Sequence, residues 1–108
     1  MNHQPYTYVI IRKDISLVQQ SVQIGHAALE AGFRFEKPKE TSFLIVLEVE
    51  NQESLKKAAH FLGERDIDFY MFFEPDNHMG FSAICTRPVY EKREKNLFKR
   101  WKLYNPAE

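Results

Sequence analysis

Residues 8–32 read YVIIRKDISLVQQSVQIGHAALEAG, and the change of period inside this stretch decides the fold. Tyr6–Lys13 is β-branched and aromatic, which favours a strand. Val9, Ile10 and Ile11 are consecutive rather than alternating with polar residues, as in a strand covered on both faces. From Leu17 to Phe33 the period becomes helical, with Asp14 or Ser16 available as the cap. Val18, Val22, Gly25 and Leu29 form one stripe flanked by Ser21, Ile24 and Ala28, and this side is expected to lie on the sheet. A second stripe, Gln19, Gln23, His26 and Glu30, is rich in neutral hydrogen-bonding groups. Lys or Glu would keep a helix face hydrated more simply, so these residues suit a surface that recognises a ligand.

The same strand-then-helix pattern recurs downstream. Ser42–Val49 (SFLIVLEV) is the strongest strand by composition and is expected to be central. Asn51 can cap a helix with Ser54, Leu55, Ala58, Ala59 and Leu62 on its buried side and Gly63 near its end. Asp66–Phe73 predicts a third strand, Glu74–Met79 (EPDNHM) a turn, and Gly80–Thr86 a fourth strand stopped by Pro88. Residues 90–104 predict a last helix. The order β-α-β-α-β-β-α implies a single α/β domain over residues 1–108, a two- or three-layer sandwich with a four-stranded mixed sheet. The two βα units favour parallel pairs through right-handed crossovers, and the short connection after Phe73 favours an antiparallel pair.

Composition narrows the functional classes. Nine Phe, five Tyr and one Trp among 108 residues argue for a packed globule rather than disorder. Zero formal net charge excludes a global field for polyanions. The charge is uneven, however: residues 90–104 (YEKREKNLFKRWKLY) hold six Lys/Arg against two Glu. The lone Cys85 cannot pair within the chain and sits in an apolar strand, which suits a core position and a reducing, cytoplasmic setting. The N-terminal MNHQPYTYVIIRKD lacks signal-peptide features, and no apolar run reaches the ~20 residues of a membrane span.

Ligands of open α/β sheets gather beyond the carboxyl ends of the strands. If strands one and three run the same way, Arg12, Asp14, Gln19, Gln23, His26, Glu74 and Asp76 meet around one crevice. His26 is suited to proton transfer near neutral pH when a neighbour fixes its tautomer. Glu74 or Asp76 can be that neighbour, or the base itself if burial raises the carboxyl pKa, and Asp14 is a further candidate base. Arg12 can hold a phosphate or carboxylate through two hydrogen bonds, and Gln19 and Gln23 can bind a carbonyl, ribose or amide. The bland alternatives are an Arg12–Asp14 ion pair, a plain Glu74–Asp76 turn, surface glutamines and a structural histidine. His3, His60 and His78 follow no metal-ligand spacing, and no phosphate- or dinucleotide-binding motif occurs, so neither metal nor cofactor is expected. In the basic segment, Lys99, Arg100 and Trp101 can grip a phosphate backbone and stack on a base. The alternative is an amphipathic helix docking Leu97, Trp101 and Tyr104 on the sheet. Phe33, Phe35, Phe72 and Phe73, if exposed, can support a homodimer.

Arg12-Lys-Asp14 followed by Gln23-Ile-Gly-His26-Ala27-Ala28 resembles the opening of the type II peptidyl-tRNA hydrolases, where a strand ending in Arg-x-Asp leads into a helix carrying Gln-x-x-His-Ala. Ser82–Pro88 (SAICTRP) is similar to that family's closing strand, and the likeness runs to about Pro88. The resemblance implies a four-stranded mixed sheet, no required metal, and cleavage of the ester joining a peptide or another N-blocked amino acid to the 3′ ribose of tRNA. By position it maps onto Arg12, Asp14, Gln23 and His26. The family's Gly/Lys-rich turn before the helix is shortened here to Leu17–Gln20 with no lysine. Glu74–Met79 is likewise shorter than the family's acidic loop, and no Ser or Thr precedes Gly80. A hydrolase of tRNA or of a related acyl conjugate, a non-catalytic module binding an RNA end, a nucleotide or a protein, and a small-molecule acyl hydrolase are the three readings that remain.

Overall fold

In the computed structural model, which describes residues 4–107, strand β1 (Tyr6–Arg12) occupies the centre of the sheet. Its side chains alternate between two apolar layers, as its unbroken apolar run requires. Tyr8 and Ile10 enter a cluster with Leu55, Ala58 and Leu62 of helix α2 (Gln52–Glu64). Val9 and Ile11 enter another with Ala27 and Ala31 of helix α1 (Leu17–Arg34). The result is three layers, helix on sheet on helix.

Strand β2 (Phe43–Val49) pairs with β1 in parallel. The second βα unit makes no neighbouring parallel pair. Instead α2 carries the chain across the opposite face to strand β3 (Phe69–Glu74), which pairs antiparallel with strand β4 (Gly80–Thr86). Because β4 is also antiparallel to β1, β3 runs in the same direction as β1 with β4 between them. The ends of β1 and β3 therefore lie on one edge, as the crevice requires.

Several expectations need correction. The sheet has five strands, in the order β3-β4-β1-β2-β5, and not four. The expected helix over 90–104 breaks into a short helix α3 (Lys92–Leu97), a 3-10 turn at Phe98–Arg100 and the two-residue strand β5 (Lys102–Leu103). Trp101 leaves helical geometry there, and Lys102 and Leu103 add to the edge of β2. So β2 is not central: it lies next to that short edge strand, and its Phe43 and Leu44 stay exposed. Strand β3 starts at Phe69 rather than Asp66, because Asp66 takes a left-handed φ of 59° as the chain leaves α2. Of the aromatics considered for a dimer, Phe33 and Phe73 are exposed, Phe35 packs on the α1 side, and Phe72 lies under His26.

The largest correction concerns α1. Ser16 caps it, accepting from the Gln19 backbone N–H. Its buried side is Gln20, Gln23, Ala27 and Ala31, whereas Val18 is 72% and Leu29 55% exposed. The alanines bring the helix close to β1 and β4, and the glutamines find partners inside; the apolar stripe faces outward. Cys85 is buried on this side of the sheet, and burial pushes its thiol up to about 12. No helix is long and apolar enough to cross a membrane among the described residues.

This division of labour is measurable by urea denaturation. Leu55→Ala, at a fully buried position, should cost about 2–5 kcal/mol. Val18→Ala, on the outward stripe, should stay within about 0.5 kcal/mol of the parent.

Candidate functional site at the carboxyl edge of the sheet

Arg12 ends β1 with every part of its guanidinium engaged. Nε and Nη2 donate to the Asp14 carboxylate at 2.6 and 2.8 Å, and Nη1 donates to the carbonyls of Met79 and Phe81 at 2.7 and 3.0 Å. The side chain thus ties the end of β1 to the start of β4. The turn between β3 and β4 is tightly wound, with Asn77, His78 and Gly80 at φ of 57°, 56° and 80°. At Gly80 a Cβ would lie 2.4 Å from Gln52 Oε1, which accepts the Phe81 N–H at 2.8 Å. Only glycine permits both that φ and that approach.

Gln23 is the hub. It is fully buried, yet both ends of its amide are satisfied. Nε2 donates to Glu74 Oε1 at 2.8 Å and to Gln19 Oε1 at 3.2 Å, while Oε1 accepts the Ser82 hydroxyl at 2.6 Å. The other Glu74 oxygen accepts the Asp76 N–H at 3.2 Å. The Gln23 hydrogen bond, then the Asp76 N–H, and to a smaller extent the charge of His26 hold the Glu74 carboxyl below its ordinary value against a small opposing effect of desolvation. Glu74 is therefore ionised at neutral pH and a weak base. His26 is exposed, with its ring lying flat on Phe72 at 4.5 Å between centroids and 3° between planes. Its nitrogens have no hydrogen-bond partner among the described residues, so nothing there fixes its tautomer.

Two groups thus form at this edge. One is Arg12 with Asp14 and the carbonyls at the start of β4. The other is Gln23 with Gln19, Glu74 and Ser82, beside the Asp76 N–H and the His26–Phe72 stack. No hydrogen bond joins Arg12 or Asp14 to the second group among the described residues. The structure separates Lys99, Arg100 and Trp101, which lie on the α2 side of the sheet. Arg100 sits over the Phe61 ring at 3.8 Å, and Trp101 meets Phe61 edge-on and packs on Phe98. Four open clefts of about 580, 500, 430 and 420 Å³ are lined by other residues, and none of the four includes Arg12, Gln19, Gln23, His26 or Glu74. No group of three or more His, Cys, Asp or Glu suited to a metal ion occurs among the described residues, and His3 lies outside them.

Two contributors escaped the sequence reading. Ser82 is a buried hydroxyl in β4, a strand that also buries Thr86, and no spacing in the sequence marked it. Gln20 is also buried: its Nε2 donates to the Ile15 carbonyl at 2.8 Å and its Oε1 accepts the Tyr104 hydroxyl at 2.6 Å. Gln20 lies outside the i, i+4 series that drew attention to its neighbours.

Because the Glu74 pKa is lowered on folding, its contribution to stability is present above the ordinary carboxylate range and is lost as pH falls through the lowered value. Glu74→Gln should therefore be less stable than the parent at pH 7, with the gap narrowing in acid. Denaturation midpoints between pH 7 and pH 3 test this, and a constant gap would contradict it.

No family model and no curated protein matches the chain. Among solved structures it is similar to a protein of unknown function, Atu0240, from Agrobacterium tumefaciens strain C58. That likeness has a TM-score of 0.63 and 18% identity, covering 97% of this chain and 100% of the other, and it concerns the fold alone.

Proposed function

We propose that the carboxyl edge of β1 and β3 is a recognition site for the terminal nucleoside of an RNA, on a fold resembling the type II peptidyl-tRNA hydrolases. The observation that carries this reading is the saturation of the polar groups. Arg12, Asp14 and Gln23 are engaged within the protein, so they hold the edge rigid instead of waiting for a reacting ester. The exposed imidazole on Phe72 offers a flat stacking surface. The ionised Glu74 beside it can accept from ribose hydroxyls. The motif Arg12–Asp14 and Gln23–His26 supports an RNA end as the ligand, and the absent lysine supports recognition without turnover.

The second reading is ester hydrolysis of a peptidyl- or N-blocked aminoacyl-tRNA. It is favoured by His26 alone, whose exposed imidazole is free to meet a water and an ester. Glu74, acidified by its partners, does not fill that role.

Two assays on the purified protein separate the readings. A fluorescent oligonucleotide with the sequence of a tRNA 3′ end should bind saturably. His26→Ala should weaken it about 5- to 150-fold, the ~1–3 kcal/mol of one base stack. N-acetyl-aminoacyl-tRNA should survive incubation. Deacylation that falls at least tenfold in a folded His26→Ala variant would replace recognition with hydrolysis; neither binding nor deacylation would defeat both.

A further inference from the structure

We infer a second ligand site, for a single-chain anionic amphiphile, in the cleft that the C-terminal segment forms on the α2 side of the sheet. This cleft, about 500 Å³, has a floor of Tyr6, Tyr8, Ile45, Leu47, Phe98 and Leu103, within the range of small-molecule sites. Lys92, Lys95, Asn96 and Lys99 line its rim at i, i+3, i+4 and i+7, one side of a helical path, and no carboxylate lines it.

The charges around it are unbalanced. Glu91 pairs with Arg93 at 3.5 Å, Glu94 with Arg87 at 3.1 Å, and Glu48 with Lys13 at 3.2 Å. Lys95 donates to the Gln4 carbonyl and covers the Tyr6 ring. Lys92 and Lys99 are left with no ion pair or hydrogen bond among the described residues. Two uncompensated ammonium groups over an apolar floor complement an anionic head on an apolar body. The body is an alkyl chain rather than a base, because the rings are already occupied. Tyr8 stacks on Phe98 at 3.7 Å and 2°, and Lys95 lies 4.1 Å over Tyr6. The most exposed apolar residue of the lining is aliphatic, Leu103 at 71%, while Tyr6 and Trp101 are half-buried. The site is separate from the edge site, which lies on the α1 side.

Trp101, the only tryptophan of the chain, lines this cleft, so its fluorescence reports occupancy directly. Titration with decanoate below its micellar concentration should shift Trp101 emission saturably. Decanol and decyltrimethylammonium should bind at least tenfold more weakly, as should adenosine monophosphate. Lys92→Gln with Lys99→Gln, both at exposed positions, should weaken decanoate at least tenfold, and so should Leu103→Asp. His26→Ala should leave it unchanged, which makes this result independent of the edge site. The inference is overturned by no saturable shift, by equal binding of decanol or the cation, by tighter binding of the nucleotide, or by a double lysine variant that binds like the parent.

Discussion

A primary amide placed in an apolar interior must have its hydrogen bonds made, and Gln23 imposes that requirement on the whole edge of the sheet. Leaving such a group unpaired costs about 1–3 kcal/mol in a protein. Ser82 from β4, Glu74 from the end of β3 and Gln19 from the preceding turn meet the requirement. A helix that inserts Gln23 in this way has its rotation fixed about its own axis. The alanines then face the sheet, and Val18, Val22 and Leu29 face away.

Gln20, nearly one turn earlier on the same buried side of the helix, does similar work. Its amide binds the loop before α1 and the Tyr104 hydroxyl. The C-terminal segment is thus drawn round the β2 edge onto the α1 side, where the Asn105 N–H and Lys13 both reach Glu48. Burial would raise the Glu48 pKa, but these hydrogen bonds and the charges of Lys13 and Lys102 outweigh it and leave the carboxyl below its ordinary value. Two glutamines on one helix therefore organise two distant segments: the turn after β3 and the chain end after β5. Arg12 adds a third tie, from β1 to the carbonyls at the start of β4. The first and third of these ties produce the proposed recognition edge, and the second helps to hold the segment that walls the alkyl cleft.

Much of this was legible in residue order. The consecutive Val9-Ile10-Ile11 announced a strand with two covered faces, and the short Glu74–Met79 connection announced the antiparallel β3–β4 pair. They gather Gln23, His26 and Glu74 at the edge where Arg12 ends β1 only if β1 and β3 run the same way, and the antiparallel pairing of β4 with both strands supplies that condition. The rotation of α1 was not legible, because apolar periodicity normally marks the buried side and here a hydrogen-bond network outranks it. The partners that make the network possible, Ser82 and Tyr104, lie 59 and 84 residues from the glutamines they bind. The break after Leu97 was hidden because a basic segment of good helix formers carries no proline or glycine to end it. Only pairing of Lys102 and Leu103 with β2 supplies the reason.

Energetic coupling between the Gln23 amide and the Ser82 hydroxyl sets the helix against the sheet, and a double-mutant cycle measures that coupling most directly. Gln23→Leu, Ser82→Ala and the double variant are compared by urea denaturation at pH 7. The two single changes should be strongly non-additive, by about 1 kcal/mol or more, since each strands the other partner in the core. Additivity within about 0.3–0.5 kcal/mol would mean that the amide does not set the helix against the sheet.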